Sequence, residues 1–452
     1  MIRTTARLAI VAALLCLTAC QQPHAATLDR LVIGEVMTSS ELPENLRALC
    51  LPGGRLSGTP NAQTAVEFVA DKAREYGLKN VHCEPFTMPG WQVNRTVVTV
   101  PGEPDRVLAD AVALWLSRST PEGGLTAELI DVGDGTPDDF ASVGDAMRGR
   151  FALVRDGHGR RSAKMLLARE HGAVGMIVAE RPGRAPIIST CHREPRPEPA
   201  VVIRREDADQ FAETLAAGGT VQLNVQVDAD FWDGHPNNVV AEIPGHGPLA
   251  HEVVILSAHL DSWHLAEGAM DNGAGSTAIL EAARALAAVG WQPRRTVRFA
   301  WFQGEEQGLW GSKAYVAAHE REMADIVVAV NSDMPGSPRQ WHTSGGPSAK
   351  TFLQALRGRL AGYELSNEVA TLGGQWSDHA PFCDAGVCTM TLGGELGEGV
   401  IHYHTAGDKY DVVDRRATAE AAAVLAVLIR NLADAPASTL ADFKPSPTTQ
   451  PE

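Results

Sequence analysis

The feature that most constrains the fold is an alternation of apolar runs and helical segments between residues 238 and 435. Residues 253–257, 296–302 and 326–331 are short runs rich in β-branched and aromatic residues, as in buried strands. Between them, residues 275–289 and 312–319 carry apolar residues at helical spacing. Alternating strands and helices are typical of parallel sheets. The sequence therefore predicts an α/β fold with an open, mostly parallel sheet and helices on both faces.

Most of the residues that could support chemistry follow the strands of this predicted sheet. They are histidines and carboxylates, and each comes shortly after an apolar run or near the C-terminal end of the pattern. Open α/β sheets bind ligands at the carboxyl ends of their strands, so we expect these side chains to converge. The set is His259, Asp261, Asp271, Glu305, Glu306, Asp333 and His404.

Each of these residues also has an ordinary structural explanation. A single histidine after a strand is usually a hydrogen-bonded surface or core residue, adjacent glutamates usually lie in a solvated loop, and an aspartate often caps a helix. Taken together, imidazole and carboxylate groups at successive strand ends form the ligand set of hydrolytic zinc sites. Their number suffices for two metal ions, about 3.5–4 Å apart, that share one carboxylate. The pattern therefore favours a two-metal hydrolytic centre.

Residues 273–278 also match the glycine-rich dinucleotide-binding fingerprint, with alanine at the last position. The acidic residue expected about 20 positions further on is missing. Asp271, just before this run, is better explained as a metal ligand. The sequence therefore predicts no nucleotide cofactor.

A change of pattern divides the rest of the chain. Residues 28–104 open with helices and end with a strand-like stretch. Residues 105–229 contain several short strand-like runs and lack a cluster of acids or histidines suited to catalysis. We assign residues 28–104 and 230–435 to the catalytic domain, and residues 105–229 to an inserted accessory domain without metal ligands.

The N-terminus has the features of an export signal. A positively charged start precedes the apolar run 8–17, which is too short to span a bilayer stably. The motif Leu17-Thr18-Ala19-Cys20 resembles a bacterial lipobox. Residues 1–19 are then a signal peptide, and Cys20 is the lipidated N-terminus. The alternative is a secretory signal cut near Ala26.

Charge and composition bear on location and partners. Residues 20–27 would tether the protein to a membrane, and Gln21 after the cysteine implies, by resemblance to Gram-negative lipoproteins, an outer-membrane anchor facing the periplasm. The chain carries 39 Lys and Arg against 55 Asp and Glu, a formal charge of -16. Such an acidic surface repels phosphate backbones, so nucleic acid is not an expected partner. Residues 436–452, rich in Pro, Ser and Thr, are predicted to be disordered.

The cysteines allow disulfides but no thiolate zinc site. An exported protein meets an oxidising compartment, and Cys383 and Cys388 are close enough in sequence to pair. A Cys50–Cys83 bridge is a further candidate. No Cys-x-x-Cys pair occurs, which argues against structural zinc held by thiolates.

The motifs around these residues resemble the zinc exopeptidase family of co-catalytic aminopeptidases and glutamate carboxypeptidases. The segment from His259 to Trp263 and that from Gly268 to Asp271 look most like its carboxypeptidase Q branch. Arg55-Leu56-Ser57-Gly58-Thr59-Pro60 also resembles an N-terminal motif of the family. The insert is similar to a protease-associated domain, notably at residues 149–154 and 168–177. The resemblance covers most of the mature chain.

The resemblance implies a role for each candidate residue. His259 and Asp333 would bind one zinc ion, Glu306 and His404 would bind a second, and Asp271 would bridge them. Glu305 would be the general base that takes a proton from the attacking water, and Asp261 would orient His259 as a carboxylate behind its ring. The family further implies a small peptide as substrate, by aminopeptidase, dipeptidase or carboxypeptidase action, and allows a homodimer.

Some residues depart from the family pattern. His264 stands where the branch more often has Asp, Tyr403 where it often has a second His, and Asn272 where a second Asp is frequent. None of these removes a ligand, but they leave the substrate open. Two alternatives remain: a single-zinc transferase like glutaminyl cyclases, and a non-catalytic receptor-like protein on the same fold. The segment from Ser377 to His379 is assigned either a supporting role at the substrate pocket or a capped turn.

Overall fold

The computed structural model describes residues 25–157, 159–190, 198–374 and 376–445. The predicted signal peptide, residues 1–19, and the predicted lipid attachment site at Cys20 lie outside the described residues. The predicted tether, residues 20–27, lies partly outside them, and its last three residues already belong to a helix. Within the described parts of the chain, no helix combines the length and apolar character that crossing a bilayer requires.

The larger sheet has eight strands in the order β1-β10-β12-β11-β13-β16-β14-β15. Its four central strands, β12, β11, β13 and β16, are parallel neighbours, and β1, β10 and β14 pair antiparallel on either side. The predicted α/β class with a central parallel sheet is therefore confirmed. The strands are β1 Lys79–Pro85, β10 Asn237–Ile243, β11 Val253–His259, β12 Thr296–Phe302, β13 Ile326–Asn331, β14 Ser337–Thr343, β15 Ala370–Thr371 and β16 Thr389–Glu395.

Strand β11 shows why this sheet is covered on both faces. Val254 and Leu256 point into one apolar core, and Val253 and Ile255 point into another, because successive side chains of a strand face opposite ways. All four side chains are buried. Each buried aliphatic side chain of this size contributes about 1.5–3 kcal/mol, so β11 is held firmly from both sides and fixes the residues at its end.

Helices pack on both faces of the larger sheet and on the smaller one. The third helix begins with Thr59 as N-cap and Pro60 at the first helical position, two residues that favour a helix start. The helices are α1 Ala25–Ser39, α2 Leu42–Cys50, α3 Pro60–Glu75, α4 Pro137–Val143, α5 Arg161–Glu170, α6 Arg205–Ala216, α7 Ala274–Ala288, α8 Trp310–Ala318, α9 Pro347–Arg357, α10 His379–Asp384, α11 Arg415–Asp434 and α12 Ala437–Leu440.

A second eight-stranded sheet, in the order β3-β2-β9-β5-β6-β7-β8-β4, forms the accessory domain. Its longest pairing is the antiparallel ribbon of β2 and β9, which carries the chain into and out of the insert. The sheet therefore extends beyond the predicted limits of 105 and 229 on both sides. The strands are β2 Met88–Val100, β3 Arg106–Val107, β4 Val112–Ala113, β5 Leu125–Asp131, β6 Phe151–Arg155, β7 Gly175–Ala179, β8 Ala200–Ile203 and β9 Gln222–Gly234.

Two further expectations do not hold. The predicted disordered tail starts too early, because α12 folds and Leu440 and Phe443 are buried in the main core. The predicted disulfides are absent, since Cys50, Cys83, Cys383 and Cys388 are free thiols. Cys388 is buried against the Thr343 hydroxyl at 3.7 Å, whereas Cys383 lies on the preceding helix.

Candidate metal centre

The parallel strands bring the predicted ligands to one edge of the larger sheet. His259 is the last residue of β11, and its neighbours β12 and β13 are followed by the Glu305–Glu306 loop and by Asp333. Parallel neighbours end on the same side, so these side chains meet. The turn before α7 adds Asp271, and the loop after β16 adds His404.

Asp271 lies between two pairs of potential ligands. Its Oδ1 is 3.1 Å from His259 Nε2, and its Oδ2 is 3.1 Å from His404 Nε2. On one side, His259 Nε2 is 3.3 Å from Asp333 Oδ1. On the other, His404 Nε2 is 2.9 Å from Glu306 Oε2. The ligand atoms form two sets that share Asp271, and within each set all atoms lie within 4.8 Å of one another.

A buried polar atom without a partner indicates that these residues suit a metal. Glu306 Oε1 is buried and has no hydrogen-bond partner. Buried polar atoms are normally satisfied, and exceptions call for an explanation such as an ion. Imidazole nitrogen and carboxylate oxygen are donors that zinc accepts. The residues present therefore fit two zinc ions with Asp271 as the shared ligand.

The charged groups of this cluster shift one another's pKa values. Burial opposes protonation of His404, yet Glu306 and Asp271 outweigh burial and raise its pKa to about 10. Burial raises the pKa of Glu306 to about 7 despite the neighbouring imidazole. For Asp271, the two histidines outweigh burial and hold the pKa well below its usual range. The carboxylates and histidines of this cluster are thus strongly coupled electrostatically.

Glu305 lies beside the two ligand sets and belongs to neither. It is half-buried, and its backbone N–H donates to Asp261 Oδ1 at 3.2 Å. Burial raises the pKa of Glu305 well above its usual range. His259 opposes this shift, and the repulsion of nearby carboxylates adds to it. A carboxyl group with raised proton affinity next to potential metal ligands is suited to acid–base work.

Asp261 mainly holds the loop that carries the glutamates. Its carboxylate accepts the backbone N–H groups of Glu305 and Glu306, both at 3.2 Å. His259 Nδ1 lies 3.2 Å from the backbone oxygen of Asp261 and 3.6 Å from its carboxylate. Asp261 therefore contacts the His259 ring through its backbone oxygen and its carboxylate, and the carboxylate also positions Glu305 and Glu306.

Two residues outside the predicted site fix the turn that carries Asp271. Asp408 Oδ1 accepts the Met270 N–H at 2.7 Å, and its Oδ2 accepts the Asp271 N–H at 3.1 Å. Burial raises the pKa of Asp408 to about 6, although these two donors lower it.

Arg55, fully buried, donates to the backbone oxygens of Leu260 and Gly268, each at 2.8 Å. Arg55 lies in the N-terminal motif that resembles the family, so this motif could have identified it as a residue of the site. Asp408 follows His404 by four residues but has no distinctive spacing.

Asn272 and Gly275 explain the glycine-rich run after Asp271. Asn272 Oδ1 accepts the N–H groups of Gly275 and Met334, both at 3.0 Å, and its Nδ2 donates to the Ser332 oxygen. A Cβ on Gly275 would lie 2.1 Å from Asn272 Oδ1. The glycine is therefore required by close packing of α7 against the end of β13.

The remaining aromatic and charged neighbours line the site. Tyr403 stacks on the His404 ring at a centroid distance of 3.7 Å, and Trp263 meets it edge-on at 5.9 Å. Asp378 is fully buried, accepts the Ser312 hydroxyl, and has its pKa raised to about 7 by burial. His264 instead faces Trp91 of the second sheet, and burial lowers its pKa to about 4.

Two stretches of the chain match known protein families. Residues 238–429 match peptidase family M28, and residues 119–211 match the PA domain. Carboxypeptidase Q from Bos taurus is 27% identical over 396 residues, which cover 84% of this chain and 83% of that protein. The family resemblance and the inserted domain that the motifs indicated are confirmed.

Solved structures share the fold over nearly the whole chain. A peptidase M28 precursor from Shewanella amazonensis has a TM-score of 0.83 at 24% identity, covering 94% of this chain and 99% of its own. A zinc aminopeptidase from Bacillus subtilis has a TM-score of 0.71 at 24% identity, covering 90% and 97%. The two sheets described above are thus a recurring architecture.

Proposed function

We propose that this chain, whose residues 238–429 match peptidase family M28, is a two-zinc exopeptidase that hydrolyses the terminal bonds of small peptides. The observation that carries this proposal is the placement of Asp271. Its two carboxylate oxygens face two different histidines at equal distance, 3.1 Å. A carboxylate that faces two ligand sets in this way is the shared ligand that a two-metal site needs.

The assignment of ligands follows from the two sets. His259 and Asp333 would hold one zinc ion, Glu306 and His404 would hold the other, and Asp271 would contact both. Zinc is favoured because the donors are imidazole and carboxylate groups in a mostly buried pocket. Zinc ions bound there would polarise the scissile carbonyl and make the attacking water more acidic.

Glu305 would move the proton. Its raised pKa, caused mainly by burial, makes its carboxylate a stronger base for a proton from the attacking water. The same carboxyl group can then pass that proton to the leaving amine. Asp261 supports this role, because it accepts the backbone N–H of Glu305 and so fixes that residue's backbone.

The test pairs two substitutions. Glu305→Gln keeps the shape of the side chain but cannot accept a proton, so kcat should fall by about 10²–10⁴-fold while zinc content stays at the wild-type level. Asp271→Asn should lower zinc content together with activity, because it weakens the shared ligand. Glu320→Gln, an exposed glutamate, is the control and should match wild type.

The substrate panel separates this proposal from its rivals. Free amine released from dipeptides and from peptides blocked at either end would identify an exopeptidase and the end it attacks. Pyroglutamate formed from peptides with N-terminal Gln, with one zinc per chain, would instead identify a single-zinc transferase. Wild-type hydrolysis by Glu305→Gln would contradict its assignment as the base.

We also propose where the enzyme works. The lipobox-like motif ending at Cys20 supports an exported lipoprotein of the outer membrane that faces the periplasm. Small peptides would reach it there, and a homodimer is proposed by family resemblance.

A further inference from the structure

One backbone hydrogen bond joins the accessory domain to a residue of the metal centre. The N–H of Ile188 donates to the backbone oxygen of His404 at 3.2 Å. Ile188 belongs to residues 181–190, a segment of the accessory domain between β7 and β8 that we call the strap. Its side chain is fully buried in the core of the second sheet, so the strap connects that core to the ligand loop.

His404 is a residue that needs such support. Its backbone has φ = +58°, in the left-handed region that non-glycine residues seldom adopt. Such a conformation persists only where the surrounding structure fixes it. Trp263, whose edge meets the His404 ring at 5.9 Å, is itself packed into the second-sheet core. The accessory domain therefore contacts the His404 backbone directly, and it supports the ring through Trp263.

Arg161 holds the strap on both sides of Ile188. Its Nη1 donates to the backbone oxygen of Ile187 at 3.0 Å and to the hydroxyl of Ser189 at 3.2 Å. Its Nε pairs with Asp156 at 3.0 Å. Only 7% of the Arg161 side chain is exposed, so these bonds are shielded from competing water.

Glu180 completes the network from the start of the strap. It is fully buried, and its Oε2 lies 3.3 Å from Arg161 Nη2. The same carboxylate accepts the N–H of Arg181 at 2.8 Å and that of Ile187 at 3.1 Å. Both backbone groups of Ile187 are thus bonded to this ion pair, one residue before the contact with His404.

We propose that the Arg161–Glu180 ion pair of the accessory domain is a positioning device for His404. By fixing the strap, it holds the His404 backbone in its left-handed conformation and so raises the zinc affinity of the set that His404 shares with Glu306 and Asp271. This inference rests on the proposed two-zinc function. It assigns the accessory domain a part in the metal centre although it contributes no ligand among the described residues.

A purely structural ion pair makes a different prediction. If the pair only stabilised the accessory domain, its loss would lower the unfolding temperature and leave zinc affinity unchanged. As a positioning device, its loss should weaken one zinc ion selectively. The ion held by His259 and Asp333 should bind as before, because those ligands lie at or just after the ends of strands of the other sheet.

The experiment compares Arg161→Met with Arg155→Met, using zinc alone as the ligand. Arg155 forms a two-pronged ion pair with Asp131 in the same domain, at 2.7 and 2.8 Å, and Asp131 is not part of the strap. Zinc titration of metal-free, full-length protein by calorimetry should show one site of Arg161→Met weakened by about 10–100-fold, the range seen when a group behind a ligand is lost. Arg155→Met should keep both affinities. Wild-type affinity at both sites in Arg161→Met would overturn the inference.

A second pair of variants tests the contact itself. Ile188→Pro removes the N–H that His404 accepts, whereas Ile188→Val keeps it and stays apolar. The proline variant should lose the same single zinc site, and the valine variant should not. If wild-type protein binds one zinc ion only, the two-zinc function fails. The inference then stands if Arg161→Met, and not Arg155→Met, weakens that ion, and falls if neither does.

Discussion

Asp408→Asn would test whether the position of Asp271 limits metal binding. Asp408 is 3% exposed, and each of its carboxylate oxygens accepts one backbone N–H, from Met270 and from Asp271. Asparagine has the same shape but only one acceptor oxygen. Its amide nitrogen can donate but not accept, so one of the two N–H groups must lose its partner.

The magnitude follows from the bond that is lost. A hydrogen bond to a charged group contributes about 1.5–3 kcal/mol, and a buried donor left unsatisfied carries a cost of similar size. If the zinc-bound protein is destabilised by about 2 kcal/mol because Asp271 is less well held, zinc binding becomes roughly 30-fold weaker. This lies inside the about 10–100-fold range for groups that support metal ligands.

Asp414→Asn is the matched control. Asp414 also bonds two backbone N–H groups, those of Arg416 and Ala417 at 3.0 Å each, but it uses one oxygen for both. It caps α11, where asparagine serves as well as aspartate. Zinc dissociation constants, measured by competition with a chelator, and kcat/KM should change in Asp408→Asn and not in Asp414→Asn. Zinc binding by Asp408→Asn within about threefold of wild type would refute the reasoning, since a 2 kcal/mol loss predicts tenfold more.

Three further outcomes are expected. Removing zinc with a chelator should abolish hydrolysis and lower the unfolding temperature, because zinc at about 1,000 times its dissociation constant stabilises by about 4 kcal/mol per site; an unchanged unfolding temperature would contradict the two-zinc site. Cys20→Ser should move the protein from the membrane fraction to the soluble fraction, and a wild type that is already soluble would contradict the anchor. Light scattering should give the mass of a pair of chains, and the mass of one chain would exclude the dimer.

The ligand set could be predicted because each member sits at a strand end that local sequence reveals. His259 and Asp333 lie at or just after the ends of apolar runs, and neighbouring parallel strands end at one edge of a sheet. The supporting contacts could not be found this way. Arg55 reaches Gly268 across 213 positions, and no periodicity connects two such residues.

The predicted limits of the accessory domain are narrower than its observed sheet for a related reason. Strand β2 has the apolar pattern of any half-buried strand, and only its pairing with β9 assigns it to the second sheet. Composition misled in the tail, where Leu440 and Phe443 are few among polar residues yet find a place in the core. In both cases the deciding partner lies far away in sequence, which local patterns do not record.

The ribbon of β2 and β9 has a consequence for how such proteins change over generations. Thr99 lies opposite Asn224, so the two points where the chain leaves and re-enters the ribbon are adjacent. A short hairpin turn could join them in place of everything between. A single deletion or insertion could therefore remove or add the domain without changing the strand order of the larger sheet. A lineage that lost it in this way would keep all five zinc ligands and would have to find another means of holding His404.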